Sequence, residues 1–149
     1  MKPQSSSQSS EASVPRHVAF ICDGNSRWAQ ARYLPSSVGH AAGADRLLNC
    51  LESLKTAGVQ CCTMYGFSTE NWKRDPREIR AILRVIEETS NRFRTRALDE
   101  NFRVRILGDL DDERIPQTLR ASLHKLQTDT TMAAPVSDSL TVYLAINYG

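Results

Sequence analysis

The sequence predicts an α/β fold with a central, mostly parallel sheet flanked by helices. Short apolar runs alternate with longer segments of helical periodicity, in the order strand, helix, strand, helix, strand, helix, strand. The first two apolar runs both end in dense polar clusters. Ligands bind at the carboxyl ends of parallel strands, so this arrangement also predicts a functional site. At 149 residues the chain is long enough for one domain with a sizeable core.

Composition limits the organisation and the partners of the chain. Residues 1–14 are rich in Ser and poor in apolar residues, so we expect a disordered tail, followed by one domain over residues 15–149. The formal net charge is only +2, which gives no basis for nucleic-acid binding. No apolar run approaches the roughly 18 residues of a membrane span, so we expect any membrane contact to be peripheral.

The cysteines predict buried, reduced thiols rather than disulfides or a zinc site. They show no Cys-x-x-Cys spacing and fall in apolar surroundings. These residues are Cys22, Cys50, Cys61 and Cys62. We therefore expect a reducing compartment, with the cytosol, the surface of the endoplasmic reticulum and a plastid as open alternatives.

The first apolar run, residues 18–21, predicts a short strand that is buried on both faces. Asp23 follows this strand at a point where a carboxylate can reach a substrate or a metal. Gly24 lets the backbone approach a ligand closely, and Asn25 offers both a donor and an acceptor. Arg27 presents a planar guanidinium that matches phosphate oxygens. This turn therefore predicts an anion site.

A helix predicted over residues 26–32 would direct its free N–H groups into the same crevice. The alternative is an ordinary strand–turn–helix unit with nothing bound, because Asp-Gly-Asn is common in turns. Residues 33–40 predict a turn-rich connection, and apolar residues at spacings of three and four predict a helix over residues 41–57, ended by Gly58. His40 at the amino end of this helix is either a surface residue or a donor to an anion.

Residues 59–67 predict a second parallel strand, and the polar cluster 68–74 follows it. Two strands that each deliver acids, amides, hydroxyls and arginines to their carboxyl ends favour a functional site. Asp75, Pro76 and Glu78 predict the N-cap, first position and capping-box partner of a long helix. The apolar face of that helix either forms core or lines an elongated cavity for a hydrocarbon tail.

The last third of the chain continues the alternation of strands and helices. Residues 102–107 alternate between apolar and polar, which predicts a third strand that ends at Gly108 and Asp109. The remaining predicted elements are a helix over residues 115–126, a loop over residues 132–138 and a fourth strand over residues 140–146. The segment Asn-Tyr-Gly, residues 147–149, follows that strand.

Five segments together resemble the cis-prenyltransferases, the family of undecaprenyl diphosphate synthase and dehydrodolichyl diphosphate synthase. The match runs in order from about residue 15 to residue 149, and Asp-Gly-Asn and Ser-Thr-Glu-Asn-Trp at this spacing are highly specific. The segments are His17–Ala29, Gly39–His40, Phe67–Arg74, Gly108–Asp109 and Ala145–Gly149.

The resemblance implies that isopentenyl diphosphate is added to an allylic prenyl diphosphate with a new cis double bond and a requirement for Mg²⁺. It implies that Asp23 is the magnesium-linked catalytic carboxylate and that Asn71 lies near the proton lost from the isopentenyl unit. The implied diphosphate loop consists of Gly24, Asn25, Ser26 and Arg27, with His40 beside it. The implied further substrate contacts are Trp28, Ser68, Thr69, Glu70, Trp72 and Arg74. The expected product is of the polyprenol or dolichol type or a short cis-prenyl diphosphate.

Three departures from the family pattern accompany this resemblance. Ser26 stands where many members carry glycine or arginine, and Ser36 stands where many bacterial members carry a diphosphate-binding arginine. The family continues past Asn-Tyr-Gly into a segment that binds isopentenyl diphosphate, shares the metal and contributes to the usual dimer interface. We therefore expect a chain truncated at its carboxyl end. Two hypotheses stay open: an enzyme that forms a homodimer or heteromer, and an impaired form that serves only as an allylic-diphosphate-binding or partner module.

Overall fold

The computed structural model describes residues 13–133 and 139–149. The predicted tail over residues 1–14 falls outside this range except for its last two residues, and so does most of the loop predicted over residues 132–138. The elements in chain order are β1 (His17–Ile21), α1 (Asn25–Gln30), α2 (Ser36–Thr56), β2 (Cys61–Ser68), a 3₁₀ helix (Thr69–Lys73), α3 (Pro76–Asp99), β3 (Phe102–Leu107), α4 (Gln117–Ala133) and β4 (Leu140–Tyr148).

The described strands form one parallel sheet in the order β1-β2-β4-β3. Because all of its pairings are parallel, the carboxyl ends of its strands lie along the same edge. This confirms the predicted α/β class. Helix α3 begins as predicted, since the Asp75 side chain accepts a hydrogen bond from the Arg77 N–H at 2.7 Å and Pro76 occupies the first helical position.

The core lies around the two central strands and draws on α2, α3 and α4. One buried cluster joins Leu51 of α2 and Phe93 of α3 to Phe102 of β3. A second buried cluster surrounds Phe67 and Ile146 and includes residues of α3 and α4. The partly buried Ile106 and Leu144 pack against both clusters, so the core is continuous across the sheet.

Strand β1 differs from its prediction, because it is not buried on both faces. It lies at one edge of the sheet and Ile21 is 81% exposed. The apolar composition of residues 18–21 indicates a strand but does not determine which neighbours it has. The prediction of buried cysteines is also wrong for most of them: Cys22 and Cys50 are exposed and Cys61 is half-buried, whereas Cys62 is buried. All four are free thiols in the structure.

Helix α2 begins at Ser36, five residues before the predicted start at residue 41. The Ser and Gly residues of this segment are typical of turns, which is why the pattern indicated a loop. Gly39 is nevertheless helical and buried, because its lack of a side chain lets α2 approach α1. At the other end of the domain, α4 continues to Ala133, into the predicted loop. No described helix combines the length and apolar character that crossing a membrane requires.

Candidate active site

The turn between β1 and α1 presents an ionised carboxylate to solvent. The N–H of Gly24 donates to Asp23 Oδ1 at 2.6 Å, and Arg27 Nη2 donates to Asp23 Oδ2 at 2.9 Å. These two contacts, the backbone hydrogen bond first, lower the pKa of Asp23. The side chains of Asp23 and Arg27 are 78% and 76% exposed. Both charges are therefore reachable by a ligand at neutral pH.

Asn25 packs closely against α2, because two glycines of that helix leave room for it. A Cβ atom at Gly39 would lie 2.1 Å from the Asn25 carbonyl oxygen, and one at Gly43 would lie 2.4 Å from Asn25 Oδ1. Residues four apart on a helix lie on the same face, so both glycines present bare backbone to the same neighbour. The amide of Asn25 consequently has a fixed place next to the Asp23 turn.

A second group of polar side chains converges on Glu78 from α1, α2 and the connection between the 3₁₀ helix and α3. Arg74 Nη1 donates to Glu78 Oε1 at 2.9 Å, and the Ser26 hydroxyl donates to the same oxygen at 3.4 Å. His40 Nε2 lies 3.3 Å from Ser26 Oγ and 3.8 Å from Glu78 Oε1. Burial lowers the pKa of His40, although the Glu78 carboxylate opposes this shift. His40 is therefore neutral at physiological pH and can donate or accept a hydrogen bond.

These groups line a polar cavity of about 140 Å³. Its walls are formed by Cys22, Asp23, Gly24, Asn25, Ser26, Arg27, His40, Arg74 and Glu78. An adjacent cavity of about 150 Å³ is lined mainly by apolar side chains of α2, α3 and the sheet, among them Leu47, Leu48, Met64, Ile82, Ile86 and Phe93. The two cavities share Cys22, Asn25, His40 and Arg74. A molecule with an anionic head and a hydrocarbon tail fits this combination.

Asn71 stands at the wall of the apolar cavity. It belongs to the 3₁₀ helix that continues from β2, and its Oδ1 accepts a hydrogen bond from the N–H of Ser68 at 2.9 Å. This bond uses the acceptor of the amide and leaves its NH₂ group for other partners. The predicted residues Asp23, Gly24, Asn25, Ser26, Arg27, His40, Asn71 and Arg74 are thus brought together around the two cavities.

The other predicted substrate contacts do not line either cavity. Trp28 is 41% exposed, and the Arg32 guanidinium lies 4.3 Å from the centre of its indole ring. Ser68 ends β2, whereas Thr69, Glu70 and Trp72 lie on the 3₁₀ helix. Their roles in substrate binding stay predictions.

Asp23 belongs to no preformed cluster of three metal ligands in the part of the chain that the structure describes. The described part of the chain contains no group of three or more His, Cys, Asp and Glu side chains that could hold a metal ion. Mg²⁺ is commonly bound by one or two carboxylates together with substrate phosphates and waters. An exposed, ionised Asp23 in the wall of the polar cavity fits that mode of binding.

Residues 21–149 match the family model described as "Putative undecaprenyl diphosphate synthase". The chain belongs to the undecaprenyl diphosphate synthase family of cis-prenyltransferases. The family predicted from sequence is thereby confirmed.

Named cis-prenyltransferases are similar to this chain over nearly all of its length. An isoprenyl transferase of Bacillus subtilis is 38% identical over 137 residues, which are 91% of this chain and 50% of that protein. A ditrans,polycis-undecaprenyl-diphosphate synthase of Pseudomonas putida, described as specific for (2E,6E)-farnesyl diphosphate, is 36% identical over 138 residues, 93% of this chain and 53% of that protein. The chain thus spans about half the length of the curated relatives it matches.

Two solved structures of diphosphate synthases share the fold. Lavandulyl diphosphate synthase from Lavandula x intermedia, solved with dimethylallyl diphosphate, superposes with a TM-score of 0.83 at 22% identity, covering 91% of this chain and 56% of that one. A probable undecaprenyl diphosphate synthase from Campylobacter jejuni gives a TM-score of 0.67 at 26% identity, covering 90% and 55%. The first of these likenesses concerns the fold alone.

Glu78 was not predicted from the sequence as a residue of this site. Its position after Asp75 predicted the partner in a capping box, whereas in the structure its carboxylate contacts Arg74 and Ser26. No helical spacing pointed to this contact, because Arg74 precedes α3 with an extended backbone (φ −74°, ψ 170°), whereas Glu78 lies in the first turn of α3. Gly43 was missed as well, and a small residue four positions after Gly39 was its signal.

Proposed function

We propose that this cis-prenyltransferase chain binds an allylic prenyl diphosphate and condenses it with isopentenyl diphosphate to give a cis-prenyl diphosphate. The observation that carries the proposal is the junction of a polar cavity, lined by Arg27, His40 and Arg74, with an apolar cavity between α2 and α3. The diphosphate would bind in the first cavity and the prenyl tail in the second. The allylic diphosphates in the descriptions of two similar proteins belong to the same substrate class.

Each part of the site has a chemical task in such a transfer. The allylic C–O bond breaks, the released carbon joins the terminal alkene carbon of isopentenyl diphosphate, and a proton leaves the isopentenyl unit as the new double bond forms. Arg27 and Arg74 would stabilise the departing diphosphate by charge-assisted hydrogen bonds. The apolar wall would keep water away from the cation-like allylic fragment. Asn71, at the wall of the tail cavity, would lie near the proton that is lost.

Asp23 would hold Mg²⁺ together with oxygens of the bound diphosphate. The ion, when bound, would supply further neutralisation of the leaving group's charge. Arg27 donates a hydrogen bond to one carboxylate oxygen of Asp23 at 2.9 Å. If that carboxylate bound the ion instead, the Arg27 guanidinium would be free to donate to the phosphate oxygens.

The alternative function is a module that binds the allylic diphosphate without turning it over. It deserves a test because the chain matches about half of each relative's length. Product length, assembly as a homodimer or heteromer, peripheral membrane contact and a cytosolic, endoplasmic-reticulum or plastid location stay predictions.

The decisive experiment measures incorporation of labelled isopentenyl diphosphate into lipid by the purified 149-residue chain, with Mg²⁺ and farnesyl or geranyl diphosphate. Asp23→Ala should abolish incorporation. Asp45→Ala is the matched control, because Asp45 is also a partly exposed aspartate paired with an arginine, Arg92, at 2.9 Å, but it lies outside both cavities. Equal activity in both variants would reject Asp23 as the catalytic carboxylate.

A binding measurement separates the two candidate functions. Equilibrium dialysis with labelled farnesyl diphosphate and Mg²⁺ should show saturable binding to the folded chain and weaker binding to Asp23→Ala. Binding without incorporation would favour the non-catalytic module. A folded chain that neither binds nor incorporates would overturn the proposed function.

A further inference from the structure

A polar cluster lies outside both cavities, at the carboxyl ends of β3 and β4, and Trp72 is its centre. The indole Nε1–H of Trp72 donates to Asn147 Oδ1 at 2.8 Å. Phe67 packs edge-on against the indole with ring centres 4.9 Å apart, and the Arg114 guanidinium lies 4.5 Å from the indole centre. The only hydrogen-bond donor of the side chain is therefore occupied by protein. We call Trp72, Asn147, Asp112 and Arg114 the Trp72 cluster.

Asn147 joins this cluster to the connection between β3 and α4. Its Nδ2 donates to the main-chain oxygen of Asp109 at 2.8 Å and to Asp112 Oδ2 at 3.3 Å. Asn147 is 3% exposed and has a φ of +53°, a left-handed conformation that asparagine tolerates better than most residues. These partners require one acceptor and two donors on the same side chain, and only a carboxamide provides both. An aspartate of the same shape could not donate to these oxygens.

Arg114 lies over the indole because Asp112 holds it there. Arg114 Nε donates to Asp112 Oδ1 at 2.9 Å, and Nη2 donates to Asp112 Oδ2 at 2.5 Å. The planar guanidinium held in this way is well suited to stack on an aromatic face. Trp72 is thus fixed by a hydrogen bond at its edge and by a cation over its ring.

The place of Trp72 matters because of its neighbours in sequence. Asn71 immediately precedes it and lines the apolar cavity, whereas Arg74 follows two residues later and lines both cavities. The 3₁₀ helix Thr69–Lys73 that carries Trp72 is only five residues long. Such a short helix has few hydrogen bonds of its own, so tertiary contacts decide where it lies.

We propose that Asn147 and Arg114 are positioning residues, which act through Trp72 to hold Asn71 and Arg74 at the junction of the two cavities. The expected effect on ligand binding rests on the proposed function. The contacts that support the positioning role are contacts within the fold and do not depend on it. It assigns Trp72 a task away from the substrate and gives the Asn-Tyr-Gly segment a role in building the site.

Amide hydrogen exchange tests the structural half of the proposal without any ligand. In Asn147→Ala and in the milder Trp72→Phe, the N–H of Arg74, which is bonded to the Asn71 carbonyl at 3.1 Å, should exchange roughly ten-fold faster. The N–H of Val104, which donates to Thr130 Oγ1 at 3.0 Å, should keep its protection. Thr130→Val is the matched control and should show the reverse pattern. Unchanged exchange at Arg74 in both cluster variants would overturn the proposal.

A double-mutant cycle tests the functional half. Trp72→Phe should weaken the binding of farnesyl diphosphate roughly five- to ten-fold when Arg74 is present, and less than about two-fold in the Arg74→Ala background. Thr130→Val, which destabilises the fold elsewhere, should leave this affinity unchanged. Equal weakening by Trp72→Phe in both backgrounds would show that Trp72 does not act through Arg74 and would overturn the proposal. A wild-type chain that binds no farnesyl diphosphate would instead overturn the proposed function, and hydrogen exchange would then decide the positioning role alone.

Discussion

Along the carboxyl edge of the sheet, polar side chains near β1 differ in exposure and hydrogen bonding from those near β4 and β3. We call the turn after β1 with the polar cavity the open end, and the Trp72 cluster with Gly108 and Asp109 the closed end. After β1, Asp23 and Arg27 are more than three-quarters exposed and pair with each other inside one turn. At the carboxyl end of β4, Asn147 is 3% exposed and its amide is bonded to three partners from distant parts of the chain. A buried polar group without partners costs stability, so one that serves the architecture must be fully bonded. Charges that serve a ligand stay reachable and are held only locally.

Substitution of one glycine at each end should give the largest difference in the free energy of unfolding. Gly24 and Gly108 both have a positive φ, +86° and +115°. A Cβ at Gly24 would meet nothing closer than Arg27 Nη2 at 3.7 Å, whereas one at Gly108 would lie 1.9 Å from the carbonyl oxygen of Ile146. Gly24→Ala should therefore cost only the backbone strain of about 1–2 kcal/mol. Gly108→Ala should cost about 3 kcal/mol or more, because steric overlap adds to the strain.

Urea unfolding of the two glycine variants measures this difference as a change in midpoint at constant slope. Ser53→Ala, an exposed substitution on α2, serves as the reference that should leave the free energy of unfolding unchanged. Equal losses for Gly24→Ala and Gly108→Ala would mean that the two ends are packed alike and that the comparison is wrong.

At the open end, replacement of Glu78 should have a smaller effect. It should strengthen ligand binding, whereas the glycine substitutions weaken the fold. The Glu78 carboxylate pairs with the Arg74 guanidinium and adds a negative charge to a cavity that we propose binds an anion. Glu78→Gln should therefore tighten the binding of inorganic pyrophosphate roughly three- to ten-fold, as removal of one like charge at a partly exposed site predicts.

Isothermal titration of pyrophosphate measures the effect of Glu78→Gln. The matched control is Glu52→Gln, since Glu52 is also paired with an arginine, Arg96, at 2.7 Å but lies outside both cavities. Weaker binding in Glu78→Gln would show that Glu78 organises Arg74 for the ligand instead of competing with it.

The sequence predicted the open end of the site much better than the closed end. Strand, turn and helix signals are local, so an apolar run followed by Asp23, Gly24 and Asn25 predicted a strand and a turn with a candidate anion site, an ordinary strand–turn–helix unit being the alternative. The contact between Trp72 and Asn147 joins residues 75 positions apart, and no periodicity or spacing encodes such a pair. Both residues lay in recognised motifs, yet their direct hydrogen bond required the structure.

The fold class could likewise be predicted from local signals, whereas the position of each strand in the sheet could not. Alternation of apolar runs and helical segments predicted a parallel sheet, because each signal lies within one element. The edge position of β1 and the early start of α2 at Ser36 were missed, because both depend on which elements pack together. The role of Gly39 illustrates this: a glycine near a serine pair indicates a turn locally, but here it permits the contact between α2 and Asn25.

The smallest expected effect concerns the charge that holds the closed end together. Hydrogen bonds from Arg114, its side chain first, hold the pKa of Asp112 well below its usual range. A carboxylate whose pKa is lower in the folded than in the unfolded chain stabilises the fold above the unfolded pKa of about 4, and this contribution disappears as the pH falls further. Asp112→Asn should therefore be less stable than wild type at pH 7, and the two stabilities should converge as the pH falls below about 4 toward the lowered pKa of Asp112.

Urea unfolding at a series of pH values measures this convergence, with Asp111→Asn as the control on the neighbouring exposed aspartate. The Asp111→Asn curve should stay parallel to that of wild type through the same window. If the Asp112→Asn curve also stays parallel, the carboxylate does not stabilise the fold. Arg114 would then have to be held over Trp72 by the indole itself, and Arg114→Lys, which removes the planar stacking group but keeps the charge, should release the indole as fully as loss of the hydrogen bond to Asn147.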